Sequence, residues 1–396
     1  MEAYVLDWVN LLVRWFHLIA GIAWIGASFY FVMLDNSLTR PARREDAGRG
    51  VSGELWAVHG GGFYVSQKFP TGPKGEPLAQ DLHWSKWEAY TTWLSGMALL
   101  ALIYWLGAGT YLIDAAVMPL SSAAAIAISV GALVASWLVY DALCRALEGR
   151  EALLAALLFA FVMGSAWALF HVFSARAAYL HVGAMIGTMM VGNVFFHIIP
   201  GQKRMVADIR AGRAPDPRPG IIGKQRSVHN TYFTLPVLFA MISNHYPMTY
   251  GHPQGWLVLG AIMLAGVLIR QFFVLRHRGR VVWALPAAGA ALLAGLVVAL
   301  VPRPVDSSGE RVAFAKVQGV FNARCVGCHA AAPTQAGFAQ PPKGVVLETP
   351  EQIAAHAAKV AEVVGNRYMP IGNLTQMTDA ERALVATWYA QGAVTR

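Results

Sequence analysis

Two cysteines and a histidine near the C-terminus have the spacing used to attach a haem group covalently. Two residues separate Cys325 from Cys328, and His329 follows directly. In this signature both thiols bond to porphyrin vinyl groups, and the adjacent histidine is placed to ligate the iron. A two-cysteine redox motif would not require that histidine. The sequence therefore predicts one covalently attached haem c.

The iron of an electron-transfer haem needs a second axial ligand, which in cytochromes c is commonly methionine. Met369 lies just before a proline, in a loop between helical patterns at 351–364 and 378–391. Because proline keeps the chain out of helix there, the loop can aim the sulfur, and Met369 is the predicted ligand. Met377 is the second candidate, and His356, in the middle of a predicted helix, is the third.

The last helical pattern has a recognisable N-terminus. Thr378 stands at the N-cap position and Glu381 three residues later, which is the spacing of a capping box. Leu384 and Trp388 on the same pattern are predicted core residues that pack on the first helix of this region or on the haem edge.

Histidines also occur within the apolar segments, where ionisable side chains are functional candidates. His17, His181 and His245 form one layer and are the candidate ligands of a b-type haem in the membrane. His181 and His197 are sixteen residues apart, and on a straight helix they would lie about 160° apart around the axis. That angle argues against a simple stack of two haems. Structural histidines bonded to carbonyl groups are the alternative.

The segment between the first two apolar stretches combines aromatic, basic and glycine residues. His59 precedes three glycines, Lys68 follows, and Lys86 and Trp87 lead into the next stretch. Such side chains can stack on and ionise a flat, polar heterocycle, so these four are the candidate catalytic residues. The glycines match no phosphate-loop spacing. The alternative is an interfacial aromatic belt with snorkelling lysines.

The composition places these residues in a lipid bilayer. Of 396 residues, 56% are hydrophobic and only 13% are charged, against about 25% charged residues in soluble domains. A span needs about 20 mainly apolar residues. Eight stretches qualify, and they cover 9–34, 88–112, 116–140, 152–173, 178–200, 230–246, 255–275 and 281–301. We predict an all-α fold: a polytopic helical membrane bundle with a small class I-type cytochrome c domain.

Loop charge predicts the topology. Lys and Arg concentrate in the loops after the first, third, fifth and seventh spans, which makes those loops cytoplasmic. Eight spans then put both termini in the periplasm of a bacterial inner membrane. The predicted division is a membrane domain at 1–301, a linker at 302–309 and a periplasmic cytochrome c domain at 310–396. The N-terminus lacks the positive region of a cleaved signal peptide, so the first span is expected to be retained.

The net charge of +9 does not indicate nucleic acid as a partner. Topology already explains the basic loops, and no recognition motif accompanies them. Cys144 stands alone at the end of an apolar stretch, so we expect a small buried packing residue there.

Five parts of the chain resemble the bacterial membrane-bound urate oxidase (urate hydroxylase) family. They are Trp15-Phe16-His17 with Ala23-Trp24-Ile25-Gly26, then 54–68, 83–96, 193–202 and 227–247. The first of these patterns also looks like the first helix of certain b-haem membrane proteins, over a shorter stretch.

The resemblance implies an eight-span part fused to a cytochrome c domain. It implies that urate is oxidised to 5-hydroxyisourate and that electrons leave through haem c to a soluble cytochrome c or another respiratory acceptor, without forming hydrogen peroxide. Two alternatives stay open: another membrane dehydrogenase of the quinol-oxidising type, and a non-enzymatic electron-transfer subunit. If urate binds on the cytoplasmic side, electrons need a relay across the membrane, for which the histidine layer would supply haem b.

Overall fold

The computed structural model describes residues 2–302 and 304–395. The chain is mostly helical, which confirms the predicted all-α class, with one small β-hairpin added. The first eleven helices are α1 (Glu2–Asn36), α2 (Arg44–Gly48), α3 (Trp87–Leu99), α4 (Ser122–Ala146), α5 (Glu151–Phe170), α6 (Ala175–Gly192), α7 (Ile199–Arg210), α8 (Arg218–Ile242), α9 (Pro247–Tyr250), α10 (Gly255–His277) and α11 (Ala284–Ala299).

Five helical segments in the described part are long and apolar enough to cross a membrane. They are Tyr4–Asn36, Ser122–Ala146, Glu151–Phe170, Ala175–Arg210 and Gly255–His277. The other three predicted spans correspond to helices that are interrupted, more polar or shorter. π-Helical turns at Leu100–Trp105 and Ala108–Leu112 continue α3, α8 carries basic and amide residues, and α11 has 16 residues.

Two helix starts differ from the sequence-based boundaries. The third span was expected from 116, but α4 begins at Ser122, where the side chain of Ser121 accepts the amide N–H of Ala124 as an N-cap. The sixth span was expected from 230, but α8 begins at Arg218. Arg226 and His229 therefore lie inside a helix, whereas the loop assignment had placed Arg226 outside the bundle.

Helix α6 is at the centre of the bundle. In the most apolar part of the segment Ala175–Arg210, which contains α6, 61% of the residues are buried. In the corresponding part of α1 only 11% are buried, so α1 exposes most of its apolar surface. Small residues allow close helix contact, as is common in membrane proteins. A Cβ atom on Gly183 of α6 would lie 2.7 Å from the Cβ of Ala240 on α8.

Strands β1 (Gly53–His59) and β2 (Gly62–Lys68) form an antiparallel hairpin between α2 and α3. Gly60 and Gly61 make its turn with φ of 59° and 82°, a conformation that glycine adopts without steric cost. We call the end of the bundle beside this hairpin the hairpin end. There, Asp35 near the end of α1 pairs with Lys68 and, at 3.1 Å, with Lys224.

Residues 310–395, called the C-terminal region below, contain the remaining helices. They are α12 (Phe314–Arg324), α13 (Pro350–Ala355), α14 (Ala357–Gly365) and α15 (Asp379–Ala390). The capping box of Thr378 and Glu381 is present, as predicted. Trp388 is 1% exposed within a separate hydrophobic cluster, against which Leu384 packs, which confirms both as core residues. His356 lies between α13 and α14, not in the middle of one helix as expected.

The C-terminal region contacts the other end of the bundle, called the docking end below. Two glycines permit the close approach of the backbones. A Cβ atom on Gly251 would lie 2.1 Å from the carbonyl oxygen of Asn366, and one on Gly372 would lie 2.1 Å from that of Thr110. Any larger residue at these positions would have to push the two parts of the chain apart.

Candidate functional site

The predicted haem attachment residues follow helix α12. Cys325 is its C-cap, and both Cys325 and Cys328 are free thiols. His329 Nδ1 donates to the carbonyl oxygen of Val345 at 2.9 Å, the bond that leaves Nε2 available to an iron. Burial raises the pKa of the Cys325 thiol to about 12. The residues present therefore fit a covalent haem, with two unpaired thiols and one available imidazole nitrogen.

Met369 and Met377 have different surroundings. Met369 is half-buried in the loop after α14, where its amide donates to the carbonyl oxygen of Val363 at 2.9 Å and its own carbonyl accepts from Arg382 Nη1 at 2.7 Å. Met377 is 3% exposed and packs in the hydrophobic cluster with Trp388. Met377 thus packs in the hydrophobic core of the C-terminal region, and Met369 stays the predicted axial ligand.

A cavity of about 270 Å³ lies between the docking end and the C-terminal region. Both parts of the chain supply its polar walls. The side chains that matter for its chemistry are Asp114, Arg176 and Tyr250 from the bundle and Arg367, Asn373 and Arg382 from the C-terminal region. Arg367 and Asn373 lie on either side of Met369 in the chain, and Arg382 donates to the Met369 carbonyl oxygen, so the cavity wall contacts the loop that carries the predicted axial ligand.

Arg176 is held in place at the bundle side of this cavity. Its Nε donates to Asn244 Oδ1 at 3.1 Å, and its guanidinium lies 5.7 Å from the ring centre of Tyr111. A cation over an aromatic face is stabilised by the ring quadrupole. These contacts restrict the side chain and place a fixed positive charge at the cavity.

Two buried polar groups at the cavity have no hydrogen-bond partner in the described part of the chain. Tyr250 is 4% exposed and its hydroxyl is unpaired; Arg382 is 8% exposed and its Nε is unpaired. An unsatisfied buried polar group costs about 1–3 kcal/mol. Both atoms are shielded from solvent, so the polar character of the cavity comes from the other polar side chains of its lining, Asp114, Arg176 and Asn373 among them.

Asp114 is the acidic group of this cavity. It lies in the loop between the π-helical turn that ends at Leu112 and helix α4, and its Oδ1 accepts from the amide of Ala116 at 2.9 Å and from Asn373 Nδ2 at 3.4 Å. Burial raises the pKa of Asp114, although Arg382 and Arg367 act in the opposite direction. The carboxylate is therefore more basic than an exposed aspartate.

A second polar cluster is buried near the hairpin end. Arg226 is 2% exposed and donates through Nη2 to Asp141 Oδ1 at 2.6 Å, and His197 Nε2 lies 2.6 Å from the same oxygen. Asn193 donates to the Tyr140 hydroxyl at 2.8 Å. The opposite charges compensate each other, so this cluster stabilises the contact of α4, α6 and α8.

Sequence reasoning had named His197 of this second cluster but not its ion pair. Asp141 falls just beyond the expected third span, and Arg226 was assigned to a loop. The sequence did hold a signal that could have identified them, because both are ionisable residues next to apolar stretches. The π-helical segment Asn193–Ile198, a feature frequent at functional sites, became visible only in the structure.

The four predicted catalytic residues are not brought together. His59 is exposed at the tip of the hairpin, Lys68 pairs with Asp35 at its base, and the Lys86 ammonium lies 5.5 Å from the Trp87 ring centre at the start of α3. Among the described residues, no hydrogen bond or ion pair joins His59 or Lys68 to the other two. Their arrangement forms no shared pocket.

Of the three predicted ligands of a membrane haem, only His181 has both ring nitrogens engaged among the described residues. His17 Nδ1 lies 3.0 Å from the carbonyl oxygen of Thr92, and His245 is exposed in the turn after α8. His181 is fully buried, with Nδ1 2.8 Å from the carbonyl oxygen of Ala177 and Nε2 2.7 Å from Ser129 Oγ. Both ring nitrogens of His181 are thus engaged, and neither is available to an iron. The residues present do not fit a haem b at His181.

Comparison with known proteins identifies the family. A family model described as urate oxidase N-terminal matches residues 3–301 of the 396-residue chain. No curated protein and no solved structure matches. The matched range covers well over half of the chain and includes every residue of the bundle that lines the cavity. The chain therefore belongs to the urate oxidase N-terminal family.

Proposed function

We propose that this chain is a membrane-bound urate oxidase that makes 5-hydroxyisourate and passes the electrons through a covalent haem c to a soluble cytochrome c or another respiratory acceptor. No hydrogen peroxide is formed, because the electrons leave through the haem and not to dioxygen. The family supports the substrate and the oxidative chemistry. The Cys325–His329 signature supports the haem.

The observation that carries this proposal is the composite cavity at the docking end. A substrate there contacts Arg367, Asn373 and Arg382, which flank the loop of Met369. Electrons would then have a short path to the haem, and no relay across the bilayer core of about 30 Å is needed. This placement replaces the site expected around His59 and Lys68, which would have required such a relay.

The size and charge of the cavity suit urate. At about 270 Å³ it lies just below the usual range of ligand pockets, about 300–1,000 Å³, as a site for a small heterocycle would. Arg176 and Arg367 supply positive charge for an acidic, planar substrate, and the tyrosines Tyr250 and Tyr368 supply aromatic surface and hydroxyl groups. Guanidinium groups can hydrogen-bond the oxygens of such a substrate in its plane.

The reaction balances without dioxygen. Urate and one water give 5-hydroxyisourate, two protons and two electrons. When bound, haem c accepts one electron at a time, so each turnover takes two transfers. Arg176 and Arg367 in the cavity lining hold the substrate anion.

The proposed setting is the bacterial inner membrane, with eight spans and both termini in the periplasm. Five described helical segments are long and apolar enough to span, and the basic residues of the hairpin end, Lys68 and Lys224 among them, match the positive-inside rule. The docking end and the proposed cytochrome c domain at 310–396 then face the periplasm. Residues 302–309 serve as the linker from the membrane domain at 1–301.

The decisive experiment adds urate anaerobically to the oxidised, purified holoprotein and follows the absorbance of reduced haem c. We expect reduction by urate with 5-hydroxyisourate as the product. Arg176→Gln should slow the reduction strongly, whereas Arg213→Gln, an exposed partner of Asp208 near the hairpin end, should not. Reduction by a quinol but not by urate would show that the chain is a different dehydrogenase.

A further inference from the structure

We propose that Asp114 is the catalytic base that removes a proton from urate during its oxidation. This inference rests on the proposed function. Among the described residues that line the cavity, Asp114 is the only carboxylate. The arginines Arg176, Arg367 and Arg382 line the same cavity, and the charges of Arg382 and Arg367 act on the Asp114 carboxylate.

The carboxylate is oriented and still has capacity to accept a proton. Oδ1 takes the amide of Ala116 and the side-chain amide of Asn373, at 2.9 and 3.4 Å. No other group among the described residues hydrogen-bonds Oδ2. A carboxylate has about four lone-pair positions on its two oxygens. One oxygen therefore fixes the side chain, and the other is available to substrate.

The other titratable groups of the cavity are less suited to this task. His252 Nδ1 already accepts the amide of Gln254 at 3.1 Å, so the neutral ring carries its proton on Nε2 and presents a donor. Burial raises the pKa of Tyr250 and keeps that hydroxyl protonated. The arginines are permanently charged.

The surroundings of Asp114 make its carboxylate a stronger base. Burial raises its pKa, while the hydrogen bonds from Ala116 and Asn373 and the charges of Arg382 and Arg367 oppose the increase, so the carboxylate is more basic than in water. A raised pKa moves a carboxylate toward the operating pH, where a base is most effective. Asp114 has no ion-pair partner within salt-bridge distance in the described chain, so protonation would break no such pair.

The step has a complete proton and electron balance. A urate N–H bond breaks, and its proton moves to Asp114. The substrate gives up two electrons, which a haem c held by Cys325, Cys328 and His329 would accept one at a time. Water then adds to the oxidised ring carbon and gives up the second proton to solvent, after which Asp114 releases its own proton through the open side of the cavity.

The test compares Asp114→Asn with Asp114→Glu and with Asp306→Asn, a matched control at an exposed carboxylate in the linker. The limiting rate of haem c reduction by urate is measured against pH. Urate affinity is measured separately on the chemically reduced holoprotein, which cannot accept electrons. Asp114→Asn should lower the limiting rate about 100-fold or more, while Asp114→Glu restores part of it and Asp306→Asn changes nothing.

The pH profile and the affinity separate a base from a structural residue. The wild-type rate should fall as the pH drops through the pKa of Asp114, above the ordinary value of 3.8, and Asp114→Asn should lose that acid limb. Urate affinity should stay equal or increase, because a negative charge is removed beside an anion. An unchanged rate and profile in Asp114→Asn overturns the inference while the proposed function stands. If urate neither binds nor reduces the wild-type protein, both are wrong.

Discussion

Asn373 Nδ2 donates to Asp114 Oδ1 at 3.4 Å and so joins two residues that are 259 positions apart in the chain. One belongs to a loop of the helical bundle and the other to the C-terminal region. The hydrogen bond crosses the wall of the cavity, which neither part of the chain could form alone. Correct docking of the C-terminal region should therefore be a condition for activity.

Gly251→Ala should uncouple substrate oxidation from the haem. The new Cβ would lie 2.1 Å from the carbonyl oxygen of Asn366, so the C-terminal region must move. A displacement of about 1 Å at a reacting site can cost about 100-fold in rate. We expect slow reduction of haem c by urate but normal reduction by dithionite. Gly365→Ala is the control, since nothing lies within 4 Å of a Cβ there. Equal urate activity in both variants would contradict the composite site.

Met369→Ala should abolish the weak long-wavelength absorption of Met-ligated ferric haem, because Met369 is the predicted axial ligand. Met377→Ala should keep that absorption and instead destabilise the C-terminal region. Met377 is 3% exposed in its core, and removing such a side chain costs about 2–5 kcal/mol of unfolding free energy. Absorption spectra and thermal unfolding of the two holoproteins measure both effects. The reverse pattern would assign the iron ligand to Met377.

Arg226→Gln should destabilise the bundle strongly. Arg226 is 2% exposed, and its loss leaves the Asp141 carboxylate with weaker compensation inside the bundle. Breaking a buried ion pair on one side costs about 3–5 kcal/mol. Arg145→Gln removes the 71% exposed partner of the same carboxylate and should cost at most about 1 kcal/mol. Thermal unfolding in detergent compares the stability of the two variants. Equal losses of stability would show that the buried ion pair contributes no more than the exposed one.

A pyridine haemochrome assay of the purified protein should find haem c alone. Both ring nitrogens of His181 already have partners, Ala177 and Ser129, so this histidine is not free to ligate a second iron. Detection of stoichiometric haem b would contradict this expectation. It would also restore the case for a relay across the membrane.

Reporter fusions test the orientation. An enzyme that is active only in the periplasm should be active when fused after Arg396. The same reporter inserted between Gly60 and Gly61, at the tip of the hairpin, should be inactive, because the basic hairpin end is expected in the cytoplasm. Activity at the hairpin and none at the C-terminus would invert the topology and place the urate cavity in the cytoplasm.

Several features of this protein were determined by the sequence alone, because they depend on neighbouring residues. The apolar stretches predicted a helical bundle, and the spacing of Thr378 and Glu381 predicted a capping box that is present. The attachment signature is likewise contained in the five residues Cys325–His329. Helix propensity and capping act over a few residues, so they can be read from the chain directly, and the haem that the signature predicts stays a prediction.

The cavity and the buried ion pair were decided only by the tertiary structure. Arg176 lies between two apolar stretches, and nothing in its surroundings along the chain connected it with Asn373 or Arg382. Likewise, the lysines and aromatic residues around the hairpin were dense in sequence but became separated in space. Long-range packing selects which distant side chains share a low-dielectric space, and burial then determines their pairing and proton affinity. Local sequence patterns therefore do not predict which distant side chains are packed together.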